Sequence, residues 1–465
     1  MDPTQQDWDN IVKSISEQTE LFESKRKERN VMPRQIPSYE AFLESSGHAI
    51  DTVLAEFNET IEPWLSSSNG PRYLGFVTGG AHPSAILGDW IASLYDQNVV
   101  TKMDSIASQV ETTTANMLLD LFDLPRAYTG TFVTGATMAN FVGLACARQW
   151  IGEFYNKDIS ADGVGNLAFK ILAGAPHSSI YKVLSMLGIG RNRLKTLSLI
   201  AATEKCDMEE LEHELKEDSN IPIIFCASAG TVNLVCFDDM KRLAELRVKY
   251  SNLWIHTDAA FGMFASLLPE HREKFEGIAC SDSITIDCHK WLNTPYDGAV
   301  AYVKNKAHQV STFKNIAPYL NDPDVETADY LHMAPENSRR FRALPVWFLL
   351  RYLGENGVEE IVKNCCDRAA ELYHKIAEIH QIRVVNQSPI NVVCFYVDSG
   401  RSENDTKSLL MSLNQSGRVF VTPTVLQGKF GIRAAFSNYS INKVDVENII
   451  SAIKEALAEI NASNS

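Results

Sequence analysis

Ser283-Ile-Thr-Ile-Asp-Cys-His-Lys-Trp-Leu-Asn293 reads as a short strand that runs into a lysine. The β-branched residues Ile284, Thr285 and Ile286 suit a buried strand. Lys290 follows it, between His289 and Trp291, in a stretch with few other charges. Lysine is ordinarily a solvated surface residue. At the end of a buried strand it is partly desolvated, which favours attack of its amine on a carbonyl compound.

Outward from this stretch, short apolar runs alternate with helical patterns between about Leu74 and Leu350. Gly130-Thr-Phe-Val-Thr134, Ile221-Pro-Ile-Ile-Phe-Cys226, Leu253-Trp-Ile-His-Thr257 and Ala299-Val-Ala-Tyr-Val303 are further strands, and Pro222 suits only the first residues of its own. Met138, Phe141, Val142 and Ala145 fall at helical spacing. Ile180, Val183, Leu184 and Leu187 do the same after His177, with Gly188 as the stop. Such alternation predicts an α/β fold with a mainly parallel sheet covered on both faces. Residues up to about 60 read as amphipathic helix interrupted near Met32-Pro33 and Ile36-Pro37, and Ser66-Ser-Ser-Asn-Gly-Pro71 is a turn-rich break. From about Gly354 the pattern changes. A long helix with Ile361 and Leu372 leads to strands at Arg383-Val-Val385 and Asn391-Val-Val-Cys-Phe-Tyr396. A closing helix carries Val446, Ile449, Ile450, Ile453, Leu457 and Ile460. The expected layout is an N-terminal helical segment over 1–73, a large α/β domain over 74–353 and a small α+β domain over 354–465.

The chain has 465 residues, 45% hydrophobic and 22% charged, with a formal net charge of -15. An acidic surface repels nucleic acid and anionic lipid, so neither is an expected partner; the same acidity also serves solubility. Nine cysteines at irregular spacing, with no C-x-x-C pair, read as reduced thiols of a cytoplasmic protein, and no metal site is expected. Met1 to Arg29 lacks the apolar centre of a signal peptide. No apolar run reaches the roughly 18 residues of a membrane span.

Two further features carry chemistry. Asp258, in His256-Thr-Asp-Ala-Ala-Phe-Gly262, ends an apolar strand and would point into the crevice where α/β sheets bind ligands. A helix N-cap or a structural ion pair reads equally well. Thr134-Gly-Ala-Thr-Met-Ala-Asn140 is a small-residue turn into a helix, whose free N–H groups can bind phosphate. It is neither a Walker A loop nor a Gly-x-Gly-x-x-Gly dinucleotide turn, and a plain strand-to-helix connection would look the same.

Phosphate turn, strand-end aspartate and strand-end lysine, in this chain order, resemble fold-type I enzymes of pyridoxal 5'-phosphate (PLP). Asp287-Cys-His-Lys-Trp291 is similar to the Asn-x-His-Lys-Trp signature of the group II amino-acid decarboxylases, the family of aromatic-amino-acid and glutamate decarboxylases. The resemblance extends to Leu74-Gly-Phe-Val-Thr78 with His82-Pro83, Ala175-Pro-His-Ser-Ser179, Ala227-Ser-Ala-Gly-Thr231 with Phe237-Asp238, Ser338-Arg-Arg-Phe-Arg342 and Gly431-Ile-Arg-Ala-Ala435. It implies a fold-type I PLP-dependent transferase fold: a mainly parallel seven-stranded sheet with helices on both faces plus a small α+β C-terminal domain.

The resemblance also implies roles. Lys290 carries PLP as a Schiff base, Asp258 pairs with the pyridine nitrogen, His177 stacks on the ring and Ala260 packs on its other face. From the residues alone, His177 reads first as a helix-capping or core histidine. Ala136, Thr137 and His289 hold the phosphate, while Thr78, Phe76 and His177 meet the substrate. Tyr319, on a predicted loop, matches a tyrosine that protonates the substrate carbon, whereas phenylalanine there is associated with aldehyde-forming relatives. The implied activity is decarboxylation of an L-amino acid to a primary amine and CO2. Phe76 favours an aromatic or bulky substrate, and Arg72 could instead meet an acidic one. An aldehyde synthase or another PLP carbon–carbon lyase is the alternative. A non-enzymatic, PLP-less paralogue is opposed by retention of Lys290, Asp258, His177 and Tyr319. The chain departs from the pattern at Asp287, where relatives often have asparagine, and at Val232, where many have threonine. The segment from Tyr319 to Arg339 is slightly short. An intertwined homodimer is implied, with Ser105-Ile106 and Tyr296 as residues that would reach a partner's site.

Overall fold

The computed structural model describes residues 5–26, 29–316, 323–385, 390–398, 403–426 and 428–463. Seven strands form the larger sheet: β1 (Thr129–Val133), β2 (Lys170–Ala173), β3 (Leu194–Thr196), β4 (Ile223–Ser228), β5 (Leu253–Asp258), β6 (Ser283–Asp287) and β7 (Ala299–Val303). Their order is β1-β7-β6-β5-β4-β2-β3. β3, β2, β4, β5 and β6 run parallel, and β7 lies antiparallel between β6 and β1. The expected mainly parallel, seven-stranded sheet is therefore present. Strands β4, β6 and β7 are buried along their whole length, as helices on both faces require. Helix Ala136–Phe154 crosses one face, with buried Val142, Leu144 and Ile151. Helices Met208–Glu217 and Met240–Lys249 belong to the core on the other, through Leu211, Leu215, Leu243 and Leu246.

Register aligns the strand ends. Ser228 lies beside Asp258, and Asp258 beside Thr285. Because β1 and the parallel strands point the same way, their carboxyl ends share one edge of the sheet. That edge is where ligands bind in such sheets.

A second sheet contains β8 (Ile382–Val384), β9 (Val392–Val397), β10 (Thr422–Leu426) and β11 (Lys429–Ala435), all antiparallel in the order β10-β11-β9-β8. Pro423 is tolerated in β10 because that strand is at the edge. Helix Ala343–Ala377 links the two regions and is interrupted at Gly354, whose φ of 64° is a left-handed value. The segment before the large sheet is stitched to the small one: Leu74 N–H donates to Phe420 O at 2.8 Å, and Ala435 N–H to Leu74 O at 2.9 Å. This fixes Phe76 to Thr78 over the sheet edge. At the N-terminal side, helix Gln5–Lys25 is followed by a long irregular run before helical structure returns at Ile50–Glu56. The break is longer than Pro33 and Pro37 alone suggested, since Ser45-Ser46-Gly47 extends it. No helix among the described residues is long and apolar enough to cross a membrane.

Candidate active site

Five strand ends deliver their loops to one cavity of about 730 Å³. β1 supplies Thr134 to Met138, β2 supplies Ala175 to His177, and β4 supplies Ser228 to Asn233. β5 supplies Asp258 to Phe261, and β6 supplies Asp287 to Lys290. Phe76, Val77, Thr78, Ser179, Glu204, Tyr296 and Arg433 complete the lining.

Asp258 is the last residue of β5. Its Oδ1 accepts from the N–H of Ala260 at 3.1 Å, and its Oδ2 from Asn140 Nδ2 at 3.0 Å. Two donors hold the carboxylate in place. His177 caps helix Ser178–Met186: its Nδ1 accepts from Ser179 N–H at 3.2 Å and lies 2.8 Å from Ser179 Oγ. The capping reading is thus correct, and the same ring also lines the cavity. Burial pushes the His177 imidazole below its ordinary value, with Asp258 pulling the other way and Lys290 and Arg433 adding to the fall.

Lys290 Nζ lies 3.7 Å from Asp287 Oδ2 and 5.9 Å from the centre of the Phe261 ring. Gly79 lets the Val77-Thr78 backbone press on this turn, since a Cβ there would come within 1.8 Å of Lys290 O. His289 accepts at Nδ1 from Gly298 N–H at 3.3 Å, which leaves its other nitrogen 3.1 Å from Asp287 Oδ1. Tyr296 stacks on His289 with ring centres 4.4 Å apart. Ala136 and Thr137 form the first turn of helix Ala136–Phe154, behind Gly135. Gly135 keeps that turn open, because a Cβ there would lie 3.1 Å from His289 Cε1. Asp287 is not turned away from it: its Oδ2 accepts from Ala136 N–H at 3.2 Å.

Sequence reasoning passed over several cavity residues. Arg433, on β11, is buried, and its side chain makes no hydrogen bond or ion pair among the described residues. Burial lowers its pKa, opposed by Cys394 and Glu204. Its motif was quoted above, yet an arginine between Ile432 and Ala434 gives no sign of facing a cavity. Glu204 accepts from Asn233 Nδ2 at 2.9 Å, from Leu234 N–H at 3.0 Å and from the Thr231 hydroxyl. Asn140 lies deep in a helix, where an amide has no readable partner. Thr78 Oγ1 is buried and without a partner. Arg72 does not reach the cavity; its Nε lies 3.8 Å from Asp445 Oδ1, which corrects the idea that it meets the substrate. Ser105 and Ile106 lie outside this cavity, whereas Tyr296 lines it. Tyr319 lies outside the described residues.

The residues fit pyridoxal phosphate. The helix N-terminus at Ala136 and Thr137 suits its phosphate, a carboxylate held at a strand end suits its ring nitrogen, and a lysine lines the same cavity. The solved structure of Oryza sativa TDC with PLP and tryptamine has the same fold, with a TM-score of 0.91 over 99% of both chains at 22% identity. An aromatic-L-amino-acid decarboxylase of Bacillus atrophaeus is 26% identical over 448 residues, covering 94% of this chain and 90% of that one. A 4-hydroxyphenylacetaldehyde synthase of Rhodiola rosea is 23% identical over 470 residues, covering 97% and 94%. The description "pyridoxal-dependent decarboxylase conserved domain" matches residues 33–398. The fold is that of PLP decarboxylases. The chain belongs to the pyridoxal-dependent decarboxylase family and is a PLP-dependent carboxy-lyase.

Proposed function

We propose that the protein decarboxylates an L-amino acid with an aromatic or bulky side chain, giving the primary amine and CO2. One observation carries this: Lys290, Asp258, His177 and Arg433 open into a single cavity, so an amine, a carboxylate, an imidazole and a guanidinium face one bound molecule. Bound PLP supplies the electron sink for the pair of electrons left when CO2 departs.

The chain's residues divide the remaining work. Asp258 would pair with the ring nitrogen of bound PLP. His177, the cap of its helix, and Ala260 would hold the ring. Ala136, Thr137 and His289 would hold the phosphate, and the Lys290 amine would hold the aldehyde group. Arg433 binds the substrate carboxylate, since a buried guanidinium without an ion pair calls for an anion. Thr78 supplies a hydroxyl beside it. Phe76, Phe261 and Tyr296 give the cavity an aromatic lining suited to an aromatic side chain. Tyr319 replaces the lost CO2 with a proton on the α-carbon.

A second reading is aldehyde formation with consumption of oxygen and release of ammonia and peroxide. It is supported by the likeness to the aldehyde synthase, and Tyr319 speaks against it. A panel of L-amino acids, with CO2, amine, aldehyde and peroxide measured together, separates the two. Amine equal to CO2 without peroxide is expected, and aldehyde with peroxide as the main products would overturn the amine reading. In the same assay Tyr319→Phe should shift product from amine toward aldehyde, and an unchanged amine yield would remove its assigned role.

The working unit in this proposal is a homodimer. Support comes from Trp90, Leu94, Tyr95, Met103 and Ile106, large apolar side chains that are exposed in the single chain. Sedimentation of the purified protein tests this. The free state of all nine cysteines supports a reducing, cytoplasmic compartment. Gly354 is the proposed boundary between the large and small domains, with the N-terminal segment ending near residue 73.

A further inference from the structure

Asp258 is tied to a buried chain of polar groups that begins at Asn140. Asn140 is fully buried in helix Ala136–Phe154. Its Nδ2 donates to Asp258 Oδ2 at 3.0 Å and to Ser179 Oγ at 3.2 Å. Its Oδ1 is 3.0 Å from His256 Nε2. His256 Nδ1 is 2.8 Å from Ser283 Oγ, which also accepts from Trp254 Nε1 at 3.4 Å.

The proton arrangement follows from the Asp258 end. A carboxylate only accepts, so the Asn140 NH2 faces Asp258 and Ser179 and its Oδ1 faces His256. Nε2 of the neutral imidazole then carries the proton and donates to Asn140 Oδ1. That leaves Nδ1 to accept from the Ser283 hydroxyl, which itself accepts from the Trp254 indole. Full burial keeps His256 neutral, although Asp258 pulls the other way. Ser179 in turn lies 2.8 Å from His177 Nδ1. One amide therefore orients both the strand-end carboxylate and the capped imidazole. Gly143 makes room for the relay: a Cβ there would come within 2.6 Å of His256 Nδ1 and 2.9 Å of Ser283 Oγ. A glycine in a buried helix interior is otherwise unfavourable, so the space it leaves is an independent mark of the arrangement.

We infer that Asn140 and His256 are positioning residues for the cofactor ring, holding Asp258 and His177 in the orientation in which they grip it. The inference rests on the reading of Asp258 as the partner of the ring nitrogen. Without the Asn140 donor, Asp258 is free to turn, and His177 loses the anchor of its own partner Ser179.

The test uses full-length apoprotein titrated with PLP, following apparent Kd and the visible band of the bound cofactor, with circular dichroism to establish folding. Asp258→Asn should weaken PLP by about a hundredfold or more and move the band. Asn140→Leu and His256→Phe should weaken it by about tenfold and move the band the same way. His256→Gln keeps an N–H for Asn140 and should stay within about threefold of the native protein. Folded Asn140→Leu and His256→Phe with native Kd and band, beside a defective Asp258→Asn, would overturn the relay alone. An Asp258→Asn variant equal to the native protein would overturn the reading beneath it. Should the relay variants not fold, 15N-histidine spectra of the unaltered protein decide. A neutral His256 protonated at Nε2, with a shift that responds to PLP, supports the inference. A charged or Nδ1-protonated ring, or one indifferent to PLP, refutes it.

Discussion

Replacing Arg433 by methionine should separate catalysis from folding. The guanidinium is 8% exposed and has no ion pair among the described residues, so it contributes little to the fold. A charge-assisted hydrogen bond is worth about 1.5–3 kcal/mol, and a guanidinium fork can make two to one carboxylate. Glu204 lies near enough to offset part of the positive charge, so the lower end applies. A loss of about 3 kcal/mol is expected, or roughly a hundredfold in kcat/KM. The assay is amine release from the preferred substrate of the panel, with PLP affinity and thermal melting measured on the same preparation. The melting temperature should be unchanged or higher, because a buried unpaired charge has been replaced by an apolar side chain of similar reach. A kcat/KM within threefold of the native value would refute the carboxylate role. A melting temperature several degrees lower would show that Arg433 holds structure instead.

Lys290→Ala should show no decarboxylation, and borohydride in the presence of PLP should then label no peptide where the native protein is labelled at Lys290. Asp287→Asn removes an anion from the helix end at Ala136. PLP should bind at least tenfold more tightly, since one unit charge about 5 Å away, seen through an effective dielectric of about 20, repels by about 3 kcal/mol. Glu111→Gln should cost about 3–5 kcal/mol in urea unfolding, since Glu111 and Arg339 form a 2.5 Å ion pair with side chains at most 1% exposed. A fall of less than 1 kcal/mol would show that the neutral amide serves as well. His177 and His256 have pKa values depressed by burial. Their contribution to stability is full above about pH 6.5 and is lost as pH falls toward their folded values, because the unfolded chain takes up protons that the native state refuses. Urea midpoints from pH 7.5 to 5 should decline accordingly, and a His256→Gln variant that folds should decline less.

The strands that carry Asp258 and Lys290 were readable because β5 and β6 are β-branched, apolar and end abruptly in polar residues. β2 and β3 were not. β2 has four residues, and two of the three in β3 are exposed, so neither shows a period. β10 hid behind Pro423, which argues against a strand unless the strand is at an edge. In the cavity, Lys290, Asp258 and His177 stood out as polar groups at apolar boundaries. Arg433 and Glu204 did not, since each comes from a segment distant in sequence and has meaning only beside the others. The position of Arg72 was not readable, because its partner Asp445 belongs to the closing helix, far away in sequence. Asn140 needs three neighbours from three elements before its amide has any reading.

The convergence of five loops from five strand ends makes the cavity modular. In the proposed reading the chemistry rests on the ends of β5 and β6, which the sheet hydrogen bonds keep in register. The turn from Gly230 to Val235, after β4, and the stretch from Phe76 to Thr78 border the same space but are anchored elsewhere. Exchange of Val232 or Asn233 can therefore reshape the room for a side chain while the cofactor-gripping residues keep their places. Such a layout lets substrate preference drift by loop replacement on an unchanging catalytic frame.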